Sequence, residues 1–178
     1  MTGFVVWLTG LSAAGKSTIG EIVARELEER GALVERLDGD VVRTHLSKGL
    51  GFSKEDRDAN IQRIGWVASR VARAGAAVIV SAISPYEEAR RHARSLVEPH
   101  APFIEVYVAT PLDECARRDP KGLYAAAFAG EIADFTGVSA PYETPSNPEV
   151  VIDTTGVSPT DSAAHVLERI EQLVGARA

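Results

Sequence analysis

The chain has 178 residues, of which 45% are hydrophobic and 25% are charged, and this is typical of one globular domain, which we expect over residues 1–178. Its formal net charge of −6 is unfavourable for binding nucleic acid or an anionic membrane surface. A single cysteine excludes an intramolecular disulfide. The sequence shows no signal-peptide pattern, and its apolar runs are far shorter than the roughly 20 residues that span a bilayer. We therefore expect a cytoplasmic protein.

Apolar runs and helical periodicities alternate along the chain. The run FVVWLT at residues 4–9 predicts a buried strand, and the apolar stripe from Ile19 to Leu27 predicts a helix that ends at Gly31. Further strands are predicted at residues 33–37, 76–83, 103–109 and 149–152. Further helices are predicted after Asp40, Ser53, Pro85 and Pro111, and around residues 166–173. Residues 119–149 are rich in Gly, Pro, Ala and Thr and are expected to be irregular.

This alternation predicts an α/β fold in which a five-stranded parallel sheet carries helices on both faces. The nearly continuous apolar run at residues 76–83 is typical of a strand that is buried on both faces. Cys115 is expected to be a core residue. Ligands of such folds bind at the carboxyl ends of the strands, and the unusual residues of this sequence gather there.

The stretch GLSAAGKS at residues 10–17, called the phosphate loop below, fits the pattern G-x-x-x-x-G-K-[ST] between a strand and a helix. Small residues let successive backbone N–H groups point at phosphate oxygens, and the helix N-terminus adds positive charge. Lys16 can reach the β- and γ-phosphates, and the Ser17 hydroxyl can bind Mg²⁺. The residues predicted to bind ATP here are Gly10, Ser12, Ala13, Ala14, Gly15, Lys16, Ser17 and Thr18. An ordinary glycine-rich turn is the alternative, and the motif alone does not separate a kinase from a GTPase or a motor.

Two carboxylates, Asp38 and Asp40, follow the second predicted strand, beside the expected position of the phosphate loop. A carboxylate there can accept the proton of an attacking hydroxyl group or hold Mg²⁺ through water. The alternative for Asp40 is an N-cap of a helix that starts at Val41.

Six motifs in order resemble the adenylylsulfate kinases: LTGLSAAGKST, LDGDVVR, LGFSKEDRDANIQRIGWVA, SAISP, RDPKGLY and GEIADFTGVSAPYE. The resemblance extends from about residue 5 to residue 157. It implies a P-loop nucleoside-triphosphate-binding fold with a mobile lid, and ATP-dependent phosphorylation of the 3′-hydroxyl group of adenosine 5′-phosphosulfate. It also implies a homodimer, and an ATP sulfurylase is a possible partner.

The resemblance assigns roles to residues at these motifs. Arg43, Arg57 and Asn60 would bind the phosphosulfate and ribose, whose oxyanions suit the planar guanidinium group. Phe52 and Phe135 would enclose the substrate adenine, and Ile83, Ser84 and Lys121 would complete the substrate site. Surface arginines, core packing of Phe52 and Phe135, or a hydrophobic staple at Phe52 are the alternatives.

Ser84 matches a serine that has been assigned in this family as a phosphoserine intermediate. The local sequence S-P-Y-E favours a capping box instead, with Ser84 as N-cap, Pro85 as the first helical residue and Glu87 as the third. No histidine or lysine beside Ser84 in the sequence would activate its hydroxyl group. We therefore expect Ser84 to contact the substrate and cap the helix, and the phosphoryl group to be transferred directly.

Residues 117–136, called the lid below, are similar to a mobile segment that closes over the nucleotides, although a basic surface loop is the alternative. By resemblance Arg118 belongs to the ATP side of the lid. Two departures from the family are present: residues 125–128 read AAAF where lysine and arginine are usual, and Ala13 stands where glycine is frequent.

Near the C-terminal end, a loop with Thr155 and Gly156 is expected by fold analogy to pass over the ATP adenine, although plain turn chemistry explains these residues nearly as well. A kinase for another small hydroxyl substrate, or a non-catalytic nucleotide-binding subunit, are the rival functions.

Overall fold

In a computed structural model, which describes residues 3–175, a five-stranded parallel sheet has the strand order β2-β3-β1-β4-β5. The strands are β1 (Phe4–Thr9), β2 (Val34–Asp38), β3 (Ala77–Ser81), β4 (Phe103–Val108) and β5 (Val150–Ile152). The helices are α1 (Lys16–Glu29), α2 (Gly39–His45), α3 (Lys54–Arg73), α4 (Glu87–Val97), α5 (Leu112–Arg118), α6 (Leu123–Phe128) and α7 (Pro159–Gly175). The predicted α/β class with its parallel sheet is confirmed.

The alternating side chains of the central strand β1 divide the core into two layers. Val6 and Leu8 pack with the layer under α1 and α7, whereas Val5 and Trp7 pack with the layer under α3 and α4. Because both faces are covered, β1 is fully buried. Because β1 is the central strand, its carboxyl end, where the phosphate loop begins, lies midway along the carboxyl edge of the sheet.

One predicted helix start is wrong, and one alternative that the sequence left open is excluded. α4 begins at Glu87 rather than at Pro85, and Ser84 does not cap it, because the chain before the helix stays extended to Tyr86. The Glu87 amide is instead bound by the Glu143 carboxylate at 2.7 Å, from a distant part of the chain. Asp40 is not an N-cap either, since Asp38 caps α2 by accepting a hydrogen bond from the Asp40 amide.

Other local expectations are confirmed. Ser53 caps α3, Gly31 follows α1 with a φ of 83°, and Cys115 is fully buried. The segment expected to be irregular contains the short helix α6, which the sequence reading missed. None of the helices in the described residues is long and apolar enough to cross a membrane.

Candidate active site

One cleft of about 810 Å³ opens at the carboxyl ends of β1, β2 and β3. Its walls come from the phosphate loop, the start of α2, the start of α3, the end of β3 and the lid. The predicted residues that line it are Ser12, Ala13, Gly15, Lys16, Ser17, Thr18, Asp38, Asp40, Arg43, Phe52, Arg57, Asn60, Ile83, Ser84, Arg118, Lys121 and Phe135. Four predicted residues do not line it: Gly10, Ala14, Thr155 and Gly156.

The phosphate loop turns sharply because three of its residues have positive φ angles. Gly10 has a φ of 147°, and a Cβ there would come within 2.4 Å of the Val108 carbonyl oxygen, which explains the glycine. Gly15 caps α1 with a φ of 109°. Ala13 has a φ of 60°, a left-handed conformation that strains an alanine and that a glycine adopts freely.

Lys16 lies at the first turn of α1 and is buried. Its Nζ donates a hydrogen bond of 2.6 Å to the Leu11 carbonyl, which holds the ammonium group over the loop. Burial lowers the pKa of Lys16 from 10.5 to about 8, against the opposing effect of nearby Asp38 and Asp40. An ammonium group with so little solvation has a strong preference for an anionic partner.

A buried threonine, Thr154, supports the outer side of the phosphate loop. Its Oγ1 donates to the Ala14 carbonyl at 3.0 Å and accepts a hydrogen bond of 2.8 Å from Arg118. The Arg118 guanidinium is held from its other side by Glu114 at 2.8 Å. The sequence reading chose Thr155, whose amide is bound in a turn by Asp153, and missed Thr154. Two threonines stand side by side at positions 154 and 155, and the sequence alone does not show which of them is buried against the phosphate loop.

The two carboxylates have different surroundings. Asp38 Oδ2 accepts a hydrogen bond of 2.6 Å from the Ser17 hydroxyl, and its Oδ1 accepts from the Asp40 amide at 3.0 Å. Asp40 is exposed, and its Oδ2 forms an ion pair of 2.5 Å with Lys121 from the lid. Asp38 is therefore fixed beside the phosphate loop, whereas Asp40 faces the open cleft.

Two guanidinium groups and an aromatic ring form a cluster in the wall of the cleft, apart from the phosphate loop in the sequence. The guanidinium carbons of Arg43 and Arg57 lie 4.4 and 5.4 Å from the centre of the Phe52 ring. Burial lowers the pKa of both arginines, which marks them as partly desolvated cations. Phe52 is 58% exposed, which excludes core packing for this residue. The side chains thus offer positive charge and an open aromatic face.

Asn60 and Thr136 are buried polar residues on the same cleft. Within residues 3–175, Asn60 Oδ1 and Thr136 Oγ1 have no hydrogen-bond partner. Buried polar atoms are normally paired, so these two unpaired oxygens distinguish this part of the cleft wall from the rest of the core. Thr136 was not predicted, although it follows Phe135 directly in the sequence.

Ser84 is almost fully buried and has a φ of 47°. Its hydroxyl accepts a hydrogen bond of 3.0 Å from Trp7 Nε1 and donates to the Ala82 carbonyl at 3.3 Å. Its carbonyl is bound by the buried Arg90 at 2.7 Å. These contacts hold the hydroxyl in the sheet, with no general base among its partners in the described part of the chain.

The lid lies over the cleft and is attached to the rest of the molecule at both ends. Within the lid, Asp119 accepts hydrogen bonds of 3.0 Å from the amides of Tyr124 and Ala125, at the start of α6. At its first end, Arg118 donates a hydrogen bond of 2.8 Å to Thr154 Oγ1. The Asp134 carbonyl accepts one of 2.5 Å from Arg57. The lid therefore contributes to both the phosphate-loop side and the arginine side of the cleft.

Comparisons with known proteins agree with this arrangement. The sequence model of the family described as "Adenylylsulphate kinase" matches residues 2–153. The chain is 53% identical over 172 residues to the adenylyl-sulfate kinase of Chloroflexus aurantiacus, and the match covers 97% of this chain and 91% of that one. It is 54% identical over 173 residues to the "Probable bifunctional SAT/APS kinase 2" of Sorangium cellulosum, of which it spans only 29% of the length.

Solved structures give the same result. The APS kinase CysC of Mycobacterium tuberculosis, in complex with AMPPNP and APS, superposes with a TM-score of 0.92 at 44% identity, over 96% of this chain and 98% of that one. A sugar kinase from Janibacter, at 18% identity and a TM-score of 0.68, shares the fold. The phosphate loop, the paired arginines beside an exposed phenylalanine and the matching sequences lead to one conclusion: the chain belongs to the adenylylsulphate kinase family.

Proposed function

We propose that the protein transfers the γ-phosphoryl group of ATP to the 3′-hydroxyl group of adenosine 5′-phosphosulfate. The new bond joins the 3′-oxygen to the γ-phosphorus, the bond between that phosphorus and the β,γ-bridging oxygen breaks, and ADP leaves. The observation that carries this proposal is that the phosphate loop and the cluster of Arg43, Arg57 and Phe52 line one and the same cleft. The M. tuberculosis relative, whose structure holds AMPPNP and APS, supports the same pair of nucleotides.

On the ATP side, the amides of the phosphate loop would bind the phosphates and Lys16 would offset the charge of the transferring group. Arg118 and Thr154 would complete this side of the site. Thr155 and Gly156, which follow Thr154 directly, do not line the cleft and remain candidates for the ATP adenine by fold analogy alone.

The oxygen donors beside the phosphate loop fit Mg²⁺. The Ser17 hydroxyl and the Asp38 carboxylate are 2.6 Å apart, and hydroxyl, carboxylate and phosphate oxygens are the ligands that this ion prefers. In residues 3–175 no group of three or more His, Cys, Asp or Glu side chains forms a metal site. A protein that offers so few ligands suits an ion held mainly by ATP and water. When bound, Mg²⁺ would neutralise phosphate charge; Ser17 and Asp38 would orient it.

On the acceptor side, Arg43, Arg57 and Lys121 would bind the phosphosulfate as charged donors. Phe52 and Phe135 would enclose the adenine, and Asn60, with its unpaired oxygen, would bind the ribose. Ile83 and Ser84 would form the floor. Asp40, positioned by the Asp38-capped start of α2, would accept the proton of the 3′-hydroxyl.

The phosphoryl group would pass directly between the nucleotides. Ser84 contacts Trp7 and Ala82 rather than a base, so its hydroxyl lacks the activation that a nucleophile needs. A phosphoserine at this position is not part of the proposed reaction.

The test is an assay of ADP release with ATP, Mg²⁺ and adenosine 5′-phosphosulfate, with the product identified as phosphorylated at the 3′ position. Lys16→Met and Asp40→Asn should abolish turnover and leave the thermal transition in place. Asp113→Asn, on the exposed face of α5, is the matched control and should keep full activity.

A screen with other nucleotides and sugars as phosphate acceptors tests the alternative that the protein is a kinase for another substrate. Binding of ATP without turnover of any acceptor would favour a non-catalytic subunit and contradict the proposal.

We further propose that the protein is a cytoplasmic homodimer and that an ATP sulfurylase supplies its substrate. A hexameric APS kinase of Thiobacillus denitrificans, at 37% identity and with 29% of its chain covered, supports self-association, and the bifunctional relative of S. cellulosum supports association with a sulfurylase. Light scattering after gel filtration distinguishes a dimer from a monomer or a hexamer.

A further inference from the structure

Tyr124, in the first turn of α6, connects the lid to the phosphate loop. Its side chain is 1% exposed, and its hydroxyl donates a hydrogen bond of 2.9 Å to the Ser12 carbonyl. Burial raises the pKa of Tyr124, so the phenol keeps its proton and acts as a donor. This hydrogen bond therefore links the position of the phosphate loop at Ser12 to the position of the lid.

The ring of Tyr124 faces the other nucleotide site. It meets the ring of Phe135 edge to face, with centroids 5.0 Å apart and planes at 80°. Phe135 lines the cleft, whereas Tyr124 does not. Edge-to-face pairs have a preferred geometry, so the orientation of Tyr124 influences that of Phe135.

Tyr124 is also held along the backbone. Its amide donates to the Asp119 carboxylate at 3.0 Å, at the start of α6. Tyr124 is thus bound through its amide to the Asp119 carboxylate in the lid, through its hydroxyl to the phosphate loop, and through its ring to Phe135.

We propose that Tyr124 is a positioning residue that couples the two nucleotide sites, so that occupation of the phosphate loop orders the lid and sets Phe135 for the acceptor adenine. The entropy of ordering the lid is then lost once, with the first nucleotide, and the second binds more tightly. Coupling of this kind is reciprocal. The proposal rests on the proposed function, since it takes Phe135 as part of the acceptor site.

Calorimetry with the non-hydrolysable analogue AMPPNP and adenosine 5′-phosphosulfate tests the coupling directly. In the unmodified protein, AMPPNP should tighten binding of the acceptor by at least about fivefold. Tyr124→Phe keeps the ring pair and removes the bond to Ser12, so this factor should fall below about twofold, while the acceptor alone binds with nearly unchanged affinity.

Tyr142→Phe is the matched control. Tyr142 also makes one buried hydroxyl contact, of 2.8 Å to Thr9, but neither residue lines the cleft. This variant should keep the full coupling factor. An equal factor in Tyr124→Phe and the unmodified protein, or an equal loss in both variants, would overturn the proposal. Failure of the proposed function would be visible separately, as an unmodified protein that does not bind or phosphorylate the acceptor at all.

Discussion

At the scale of single residues, the surroundings of a side chain decide what it can do in the reaction. Lys16 and Ser84 both come from motifs that the sequence marks as catalytic. Lys16 is a desolvated cation above the phosphate loop, which is suited to phosphate. The Ser84 hydroxyl is bound between Trp7 and Ala82, which is suited to fixing the end of β3. The two residues therefore give opposite expectations on substitution.

Binding of nucleotide should depend on the protonation of Lys16. Because its pKa in the free protein is about 8, the side chain is charged below that pH and becomes neutral above it. Affinity for AMPPNP is thus present below pH 8 and should fall about tenfold between pH 7 and pH 9. Calorimetry across this range measures it. Lys16→Met should bind weakly with no such dependence, and a flat profile in the unmodified protein would contradict the assignment.

Ser84→Ala should keep turnover within a few-fold of the unmodified protein. It leaves the Trp7 indole N–H without its partner, and an unpaired buried donor costs about 1–3 kcal/mol of stability. The variant is therefore expected to unfold at lower temperature while remaining active below its transition. A loss of several thousand-fold in kcat, with the fold intact, would instead favour a covalent phosphoserine.

At the scale of elements, the lid depends on a helix too short to be stable alone. α6 has six residues, and its first amides are bound by Asp119. The alanine-rich stretch that departs from the family is part of this helix, with Ala127 buried and Phe128 exposed. The stability of the lid therefore depends on its cap and on Tyr124 more than on its own sequence.

Asp119→Ala should loosen the lid and leave the core unchanged. The N-cap of α6 is Gly122, which has no side chain to bind the free amides, so Asp119 binds two of them in its place. Loss of such bonds typically costs about 1 kcal/mol, which is large for a single turn and a half of helix. We expect faster amide exchange at residues 123–128 and a raised KM for both nucleotides. Asp113→Ala, outside the lid, is the control. Unchanged exchange at residues 123–128 in Asp119→Ala would show that the cap is not what orders the helix.

Elements with strong local signals could be predicted from the sequence, and elements that depend on distant contacts could not. The start of α3 follows from Ser53 alone. The start of α4 does not, since the S-P-Y-E pattern satisfies a capping box while the actual partner, Glu143, lies 56 residues away. In the site, the motifs located the phosphate loop and the arginines, but Thr154 and Tyr124 act through folded contacts that no spacing reveals.

At the scale of the whole molecule, the central strand joins two core layers. Since β1 contributes Val6 and Leu8 to one layer and Val5 and Trp7 to the other, neither layer can lose its packing without exposing the strand that both share. This supports a single domain and predicts cooperative unfolding.

Ile64→Ala and Ile170→Ala, in opposite layers, should each lower stability by about 2–5 kcal/mol in one transition. Urea unfolding followed by tryptophan fluorescence and by far-ultraviolet circular dichroism measures this, and the two probes should coincide. Leu33→Ala, at a residue that is 71% exposed, should change stability by less than about 0.5 kcal/mol. Separate transitions for the two layers would contradict a single domain.

The ion pair between Lys121 and Asp40 affects how much ATP the protein would hydrolyse without transferring the phosphoryl group to the acceptor. A base beside bound ATP can deprotonate water as readily as an alcohol, and each such event would hydrolyse ATP without yielding product. The carboxylate oxygen that already accepts a hydrogen bond from Lys121 is less open to a water molecule. Lys121 is also a proposed ligand of the phosphosulfate. If the acceptor binds Lys121, the ion pair with Asp40 opens, and the Asp40 carboxylate becomes free when the 3′-hydroxyl of the acceptor is in place. We therefore expect hydrolysis of ATP to be slower while this ion pair is closed than when the acceptor has opened it.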